Sequence, residues 1–110
     1  MHAHEIAHRD VKPQNLLIDP ETQKLVICDF GSAKKLLNMD EKSVSYISTR
    51  YYRAPELLLG NEHYGTSIDL WAVGCVIGEM LRAGKVLFQG DSNAGQIVKI
   101  IQVMGTPTES

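Results

Sequence analysis

Short apolar runs in the first third of the chain predict strands. Residues 16–18 and 24–28 are mostly apolar, and the tetrapeptide DPET separates them at residues 19–22. Asp favours the first position of a tight turn, and Pro fixes φ at the second. Two such runs joined by turn residues are typical of an antiparallel pair. The sequence therefore predicts a β-hairpin.

A different pattern near residue 67 predicts a helix. Residues 67–81 are apolar at nearly every position, Thr66 or Ser67 is suited to cap the start, and Gly84 is suited to end the helix. A helix that is hydrophobic all round is normally buried. We therefore expect this helix to be buried at the centre of the domain.

Another helix is predicted from about Asn93 to Met104. Asp91 or Ser92 is suited to cap its start, and Gly105 to stop it. Its apolar stripe at helical spacing consists of Ile97, Ile100, Ile101 and Met104.

The middle of the chain has no regular spacing of apolar residues. Periodicity fades from residue 31 to residue 56, which predicts a long loop, and residues 55–59 predict a short helix that Gly60 closes. The order is a hairpin, a loop and then helices. This order indicates an α+β fold that is mainly helical.

Composition narrows the class of protein. The chain has 110 residues, 44% of them hydrophobic and 22% charged, with a net charge of −2. These values suit one small globular domain, and they favour neither nucleic-acid binding nor a membrane span. The first residues do not have the pattern of a signal peptide. Cys28 and Cys75 lie in apolar runs, and reduced thiols favour a cytoplasmic or nuclear location.

The hairpin predicts a metal site. Asn15 precedes the first strand and Asp29 follows the second, and the ends of an antiparallel pair lie roughly 5 Å apart between Cα atoms. Mg²⁺ is commonly held by one or two protein oxygens, with phosphate and water at its other positions. An amide oxygen and a carboxylate at this place are suited to that task.

Two further residues upstream suit phosphoryl transfer. Asp10 lies in the segment that leads into the hairpin, where a carboxylate can orient a substrate hydroxyl and accept its proton. Lys12 is placed to contact a transferring phosphoryl group. Such a reaction needs mainly positioning and neutralisation of charge.

Three motifs resemble those of protein kinases. HRDVKPQN at residues 8–15 resembles the catalytic loop, DFG at 29–31 the magnesium motif, and APE at 54–56 the end of the activation segment. The Lys two positions after Asp10 is similar to serine/threonine kinases. DFGSAK at 29–34 and the stretch 44–56 resemble the glycogen synthase kinase-3 (shaggy) family. The resemblance covers essentially the whole chain.

The resemblance implies a role for each residue of the active site. Asp10 matches the catalytic base, Lys12 the contact to the ATP γ-phosphate, and Asn15 with Asp29 the Mg²⁺ ligands. Gln14 and Cys28 match positions at the ATP site, with Cys28 on its floor.

Further positions match regulatory and binding residues of the family. Arg9 and Lys34 match two cations that bind the phosphate of a primed protein substrate. Tyr46 matches a phosphorylated tyrosine of the activation loop, and Arg50 with Arg53 match its phosphate partners. In the central helix, Asp69 matches an aspartate that holds the backbone of the catalytic loop. A helical partner protein would dock at Ala94, Ile97, Val98 and Ile101, although Ile97, Val98 and Ile101 at this spacing are more typical of a core.

The resemblance predicts a partial kinase domain over residues 1–110. No Gly-rich loop, β3 lysine or αC glutamate is found in the sequence, so we expect a fragment of the large (C-terminal) lobe, with the small lobe absent. On this interpretation the protein is an ATP- and Mg²⁺-dependent serine/threonine kinase, and this fragment alone is inactive. The alternative is a truncated, non-catalytic module that acts only in binding.

Overall fold

The computed structural model describes residues 2–36 and 49–105. Tyr46 lies outside the described residues, and so does the rest of segment 37–48 of the predicted loop. Within the described ranges the secondary structure consists of four short strands, three α-helices and three 3-10 turns. The strands are β1 (Ile6–Ala7), β2 (Leu16–Ile18), β3 (Leu25–Ile27) and β4 (Lys34–Lys35), and the α-helices are α1 (Pro55–Leu58), α2 (Ser67–Leu81) and α3 (Asn93–Met104). The 3-10 turns are His2–His4, Pro13–Asn15 and Arg50–Tyr52.

The predicted hairpin is present. Strands β2 and β3 pair antiparallel, with Leu16 opposite Ile27. Asp19 shapes the turn, because its Oδ1 accepts a hydrogen bond from Glu21 N at 3.0 Å and its carbonyl accepts one from Gln23 N at 2.7 Å. Strand β3 is shorter than predicted and ends before Cys28, although Cys28 N still donates to Asn15 O at 2.8 Å. The pairing therefore continues to the edge of the predicted metal site.

A second sheet was not predicted. Strands β1 and β4 pair antiparallel, with Ala7 opposite Lys34, and Leu36 N donates to Glu5 O at 2.7 Å. Each strand has only two residues, which is too short for an alternating pattern to be recognised in the sequence. The pairing returns the chain after the hairpin to the segment that precedes residue 8.

The predicted helices are present, with one correction at a cap. The Ser92 Oγ accepts a hydrogen bond from Gly95 N at 3.0 Å, so Ser92 caps α3 as expected. Thr66 is the N-cap residue of α2 but forms no side-chain cap bond, because its backbone already has helical dihedrals. Helix α2 closes at Gly84, which has a φ of 83° and donates to Glu79 O.

The expectation that α2 is buried all round is wrong for the described residues. Its inner face is buried through Ala72, Cys75 and Val76. Its other face is exposed and apolar, and no described element packs over it; its exposed residues include Leu70, Ile77, Met80 and Leu81. The apolar composition of a helix shows which faces could be buried, whereas the neighbouring elements decide which faces are buried. No helix in the described ranges is long and apolar enough to cross a membrane.

Two clusters of buried residues form the core. The larger cluster joins α2 to the segments on both sides of it, and consists of Val11, Tyr52, Leu58, Ala72, Cys75, Val76, Phe88 and Ile100. The smaller cluster lies beside α1, and consists of Ala54, Leu57, Tyr64 and Ile68. The Trp71 ring stacks on Phe88, with 5.9 Å between the ring centroids. Because Val11 belongs to the larger cluster, that cluster anchors the segment that carries residues 8–15.

Candidate active site

Asp69 holds the backbone of the segment that carries the predicted catalytic residues. It lies in the first turn of α2 and is buried. Its Oδ2 accepts a hydrogen bond from His8 N at 2.7 Å, and its Oδ1 accepts one from Arg9 N at 2.9 Å. Hydrogen bonds to a buried carboxylate are among the strong ones. Asp69 thus fixes the loop immediately before Asp10, as the resemblance implied.

His2 is a third partner of Asp69, and sequence reasoning missed it. Its Nε2 lies 2.8 Å from the same Oδ2 that His8 N contacts. Because 67 positions separate the two residues, no local pattern could have joined them.

His8 ties this loop to the end of β3. The ring is almost fully buried, its Nδ1 accepts a hydrogen bond from Asp10 N at 3.1 Å, and its Nε2 contacts Cys28 O at 2.8 Å. Since Nδ1 is an acceptor, the proton must lie on Nε2, which donates to the carbonyl. The ring also contacts Phe30 edge-on, with 5.3 Å between centroids. His8 therefore joins the two halves of the site.

Asp10, Lys12 and Thr49 form a polar cluster. Lys12 Nζ donates to Thr49 Oγ1 at 2.9 Å and lies 3.7 Å from Asp10 Oδ2. Thr49 Oγ1 in turn lies 3.5 Å from Asp10 Oδ1. The two predicted catalytic residues Asp10 and Lys12 thus lie together, and Thr49 is an additional member of the cluster. No sequence pattern predicts the contact with Thr49, because Thr49 is 39 positions from Asp10.

Asn15 is buried at the end of its 3-10 turn, next to β2. Its Nδ2 donates to Asp10 O at 2.8 Å and lies 3.3 Å from Asp10 Oδ2. The amide hydrogens are therefore directed at Asp10. The side-chain oxygen Oδ1 takes no part in these bonds, which leaves it as the ligand atom of this residue.

Asp29 lies beyond β3 and is exposed. It has a φ of 61°, in the left-handed region that few non-glycine residues adopt and that is found often at functional sites. Its Oδ1 accepts a hydrogen bond from Gly31 N at 3.2 Å. The bond from Cys28 N to Asn15 O places Asp29 one residue beyond the partner of Asn15. The hairpin therefore brings the two predicted ligands to one end of the sheet.

Comparison with known proteins decides the family, because the family model of the protein kinase domain matches residues 1–109 of this chain. The chain belongs to the protein kinase family. It is also 56% identical over 108 residues to glycogen synthase kinase 1 of Pyricularia oryzae, an alignment that covers 98% of this chain and 27% of that relative. The resemblance to glycogen synthase kinases is thereby confirmed. The chain spans about a quarter of the length of the curated relative it matches.

The donor set of this kinase domain fits Mg²⁺. Asn15 and Asp29 supply one amide oxygen and one carboxylate, and hard oxygen ligands in such small number suit Mg²⁺, which keeps water and phosphate oxygens as its other ligands. Within the described residues, no group of three or more His, Cys, Asp or Glu side chains could hold a metal. Of the two residues predicted at the ATP site, Gln14 is exposed beside Asn15, and Cys28 is half-buried beside Asp29.

Arg9 and Lys34, the predicted phosphate-binding cations, lie on neighbouring segments of the kinase domain. The pairing of Ala7 with Lys34 brings the backbone of Lys34 beside the strand that leads to Arg9. The guanidinium of Arg9 donates to Ser32 O at 2.6 Å and to Tyr64 OH at 3.0 Å. Arg9 is therefore held through a backbone carbonyl and a tyrosine hydroxyl from two other segments of the chain.

Arg50 and Arg53, the predicted partners of Tyr46, both contact the region where α3 begins. Arg53 is buried and donates to Asn93 Oδ1 at 2.7 Å, while Arg50 donates to Gly90 O at 3.3 Å. Arg50 Nε is buried and has no hydrogen-bond partner among the described residues. Because Tyr46 lies outside the described residues, its pairing with these arginines stays a prediction.

The predicted docking surface on α3 is mostly exposed. Ile97 packs against the core, but Ala94 is exposed, Val98 is 52% exposed and Ile101 is 37% exposed. The interpretation of these residues as core is thus correct only for Ile97. An exposed apolar row is compatible with docking.

Two titratable side chains, Tyr52 and Cys75, are buried in the larger core cluster next to the half-buried Glu79. Tyr52 OH donates to Glu79 Oε1 at 2.6 Å, and burial, together with that hydrogen bond, raises the pKa of Tyr52 above its ordinary value. Burial, with a smaller contribution from the charge of Glu79, also raises the pKa of the Cys75 thiol from 9.0 to about 12. Cys75 therefore stays protonated at neutral pH and is a core residue.

Proposed function

We propose that the protein carrying this chain is a serine/threonine protein kinase. The observation that carries the proposal is the Asp10 carboxylate, which lies next to Lys12, Thr49 and Asn15, while its backbone is held through His8 by Asp69. A carboxylate fixed in this way beside a cation is suited to phosphoryl transfer, where positioning and charge neutralisation supply most of the catalysis.

Asp10 orients the hydroxyl of a substrate Ser or Thr and accepts its proton at a carboxylate oxygen. Its contacts to Thr49 Oγ1 and Asn15 Nδ2 are long, at 3.5 and 3.3 Å, as catalytic hydrogen bonds often are before substrate binds. Lys12 places its ammonium beside the carboxylate, where it can bind the phosphoryl group that is transferred. Thr49 holds that ammonium on the side facing Asp10.

ATP and Mg²⁺ are the proposed cofactors. Asn15 Oδ1 and the Asp29 carboxylate would hold the ion, which neutralises phosphate charge when bound. Gln14 and Cys28 are the proposed contacts of the nucleotide. The segment carrying these residues corresponds to part of the large lobe, and we expect the 110-residue chain alone to be inactive.

We also propose that the enzyme prefers primed protein substrates. Arg9 and Lys34 are the cations that would bind the existing phosphate, and the backbone pairing of β1 with β4 supports their proximity. Tyr46 would be the regulatory phosphorylation site, with Arg50 and Arg53 as partners; the buried, unpartnered Nε of Arg50 supports an acceptor there. A helical partner docking at Ala94, Ile97, Val98 and Ile101, and a cytoplasmic or nuclear location, complete the proposal.

Replacing the proposed base tests the enzyme assignment. In the intact protein, Asp10→Asn keeps the shape of the side chain but removes its basicity, so we expect kcat for peptide phosphorylation to fall roughly 100- to 10,000-fold. Asp91→Asn is the matched control, because Asp91 is exposed and distant from the site in sequence. A wild-type protein without activity, or a loss below about tenfold, would favour the non-catalytic alternative.

Lys34 provides the test of primed-substrate binding. Lys34→Ala should lower kcat/KM for a pre-phosphorylated peptide roughly 10- to 150-fold and leave an unprimed peptide nearly unchanged, because charge-assisted bonds to phosphate contribute about 1.5–3 kcal/mol. Lys35→Ala is the control, since neighbouring residues of a strand point to opposite faces and Lys35 is exposed. An equal loss on both peptides would show that Lys34 has a structural or catalytic role instead.

A further inference from the structure

A cleft separate from the Asp10 site lies between the end of α2, the segment that follows it and one side of α3. Its volume is about 330 Å³. The polar residues that line it are Arg82, Gln89, Lys99 and Gln102, and its apolar walls include Leu87 and Val103. Both charged residues are cations, the other two polar residues are amides, and none of the described lining residues carries a carboxylate.

The chain conformation after α2 builds this cleft. Ala83 and Gly84 both have left-handed backbones, with φ of 56° and 83°, so the chain reverses immediately after Arg82. The Arg82 guanidinium then donates through Nη1 to Leu87 O at 3.2 Å and lies 3.5 Å from Val86 O. One end of the cation is thus fixed, which reduces the side-chain entropy that binding would cost.

The cleft has a local excess of positive charge. Lys99 projects from the middle of α3 and is exposed, and within the described residues neither Lys99 nor Arg82 forms an ion pair with a carboxylate. The chain as a whole has a net charge of −2, so this excess does not reflect a generally basic surface. Two cations that line one cleft repel each other, and an anion bound there would remove that repulsion.

We propose that this cleft binds an acidic peptide segment that alternates carboxylate and aliphatic side chains, as a docking site for protein substrates. Arg82 is suited to bind a carboxylate with two nitrogens, and the amides of Gln89 and Gln102 are further donors. The aliphatic walls of Leu87 and Val103 favour a peptide, because a free phosphate has no apolar part to bury. The substrate role rests on the proposed kinase function.

Binding is tested on the intact protein without ATP. The probe is a short fluorescein-labelled peptide of alternating Glu and Leu, followed by fluorescence anisotropy. Lys99→Glu should weaken binding about fivefold and Lys99→Gln about twofold, in the range measured for exposed charge pairs. Lys24→Glu, the same charge change at the exposed hairpin turn, should leave Kd unchanged. A peptide of alternating Gln and Leu should bind more weakly than the probe.

Three results would each overturn the docking site: Lys99→Glu binding as well as wild type, equal affinity for the Gln and Glu peptides, or displacement by inorganic phosphate as effective as by the unlabelled acidic peptide. The last would identify a simple anion site. Failure here is distinguishable from failure of the kinase assignment, because Asp10→Asn should abolish phosphoryl transfer and leave peptide binding intact.

Discussion

The catalytic loop and the segment after β3 lie side by side but are held in different ways. The loop at residues 8–10 is fixed by a buried carboxylate, Asp69, which receives two backbone N–H groups and His2. The segment that carries Asp29 is exposed, and the described hydrogen bond of its carboxylate is a local one to Gly31 N. His8 is the link between them, through Cys28 O and the Phe30 ring.

On the proposed function, this difference separates a fixed base from an exposed metal ligand. As the proposed base, Asp10 would meet a substrate hydroxyl in one geometry, so a rigid support favours catalysis. As a proposed metal ligand, Asp29 would bind an ion that arrives with a nucleotide, and an exposed carboxylate in a left-handed backbone is accessible to it. We therefore expect stability to depend on the first region and to be nearly independent of the second.

The largest loss of stability is expected from Asp69→Ala. The change leaves His8 N and Arg9 N, both now bonded to the carboxylate, without an acceptor, at a cost of about 1–3 kcal/mol for each unsatisfied group. Hydrogen–deuterium exchange of the intact protein, read by mass spectrometry, should show faster exchange at residues 8–10. Asp91→Ala is the control, and unchanged exchange in Asp69→Ala would mean that the loop is held by other contacts.

Alkaline pH should destabilise the buried core that contains Tyr52 and Cys75 more than the exposed β2–β3 hairpin. The native state keeps protons on Tyr52 and Cys75 at pH values where the unfolded chain has lost them, because both pKa values are raised. The unfolded state then binds fewer protons, so stability falls as the pH rises from 9.0 toward about 12. Cys75→Ala should reduce this slope.

The measurement for this pH effect is pulse proteolysis at pH 8 and pH 10.5, with cleavage sites read by mass spectrometry. Cleavage should increase within α2 and the 3-10 turn that carries Tyr52, and less within the β2–β3 hairpin. Uniform cleavage of both regions would contradict the assignment of the alkaline transition to the buried group.

Asp29→Asn should have the smallest effect on stability. Asn tolerates a left-handed backbone as Asp does, and an exposed substitution usually changes the unfolding free energy by less than about 0.5 kcal/mol. Removing the ionised ligand should still lower kinase activity about 100-fold, since a metal contributes several kcal/mol to such a reaction. Cys28→Ala is the control, and a comparable loss of activity from both changes would contradict the metal assignment.

Sequence patterns predicted those parts of the molecule that depend on local chemistry. The hairpin, α2 and α3 follow from turn residues, periodicity and caps, and the position of Asn15 and Asp29 follows from the hairpin itself. Contacts between distant positions were not predictable in this way. Thr49 beside Lys12, His2 on Asp69 and the β1–β4 pair join residues that no periodic pattern connects. The exposed face of α2 shows the same limit, because burial depends on neighbours and not on composition alone.

The hydrogen bonds from His8 and Arg9 to Asp69 also have a consequence for biosynthesis. The partners are 61 and 60 positions apart, so the loop that carries Asp10 leaves the ribosome well before the residue that fixes it. Contacts of such long sequence separation form late and slow folding, and domains fold during synthesis as their segments become available. A nascent chain that ends before α2 therefore contains every proposed catalytic side chain but lacks the carboxylate of Asp69 that fixes residues 8 and 9.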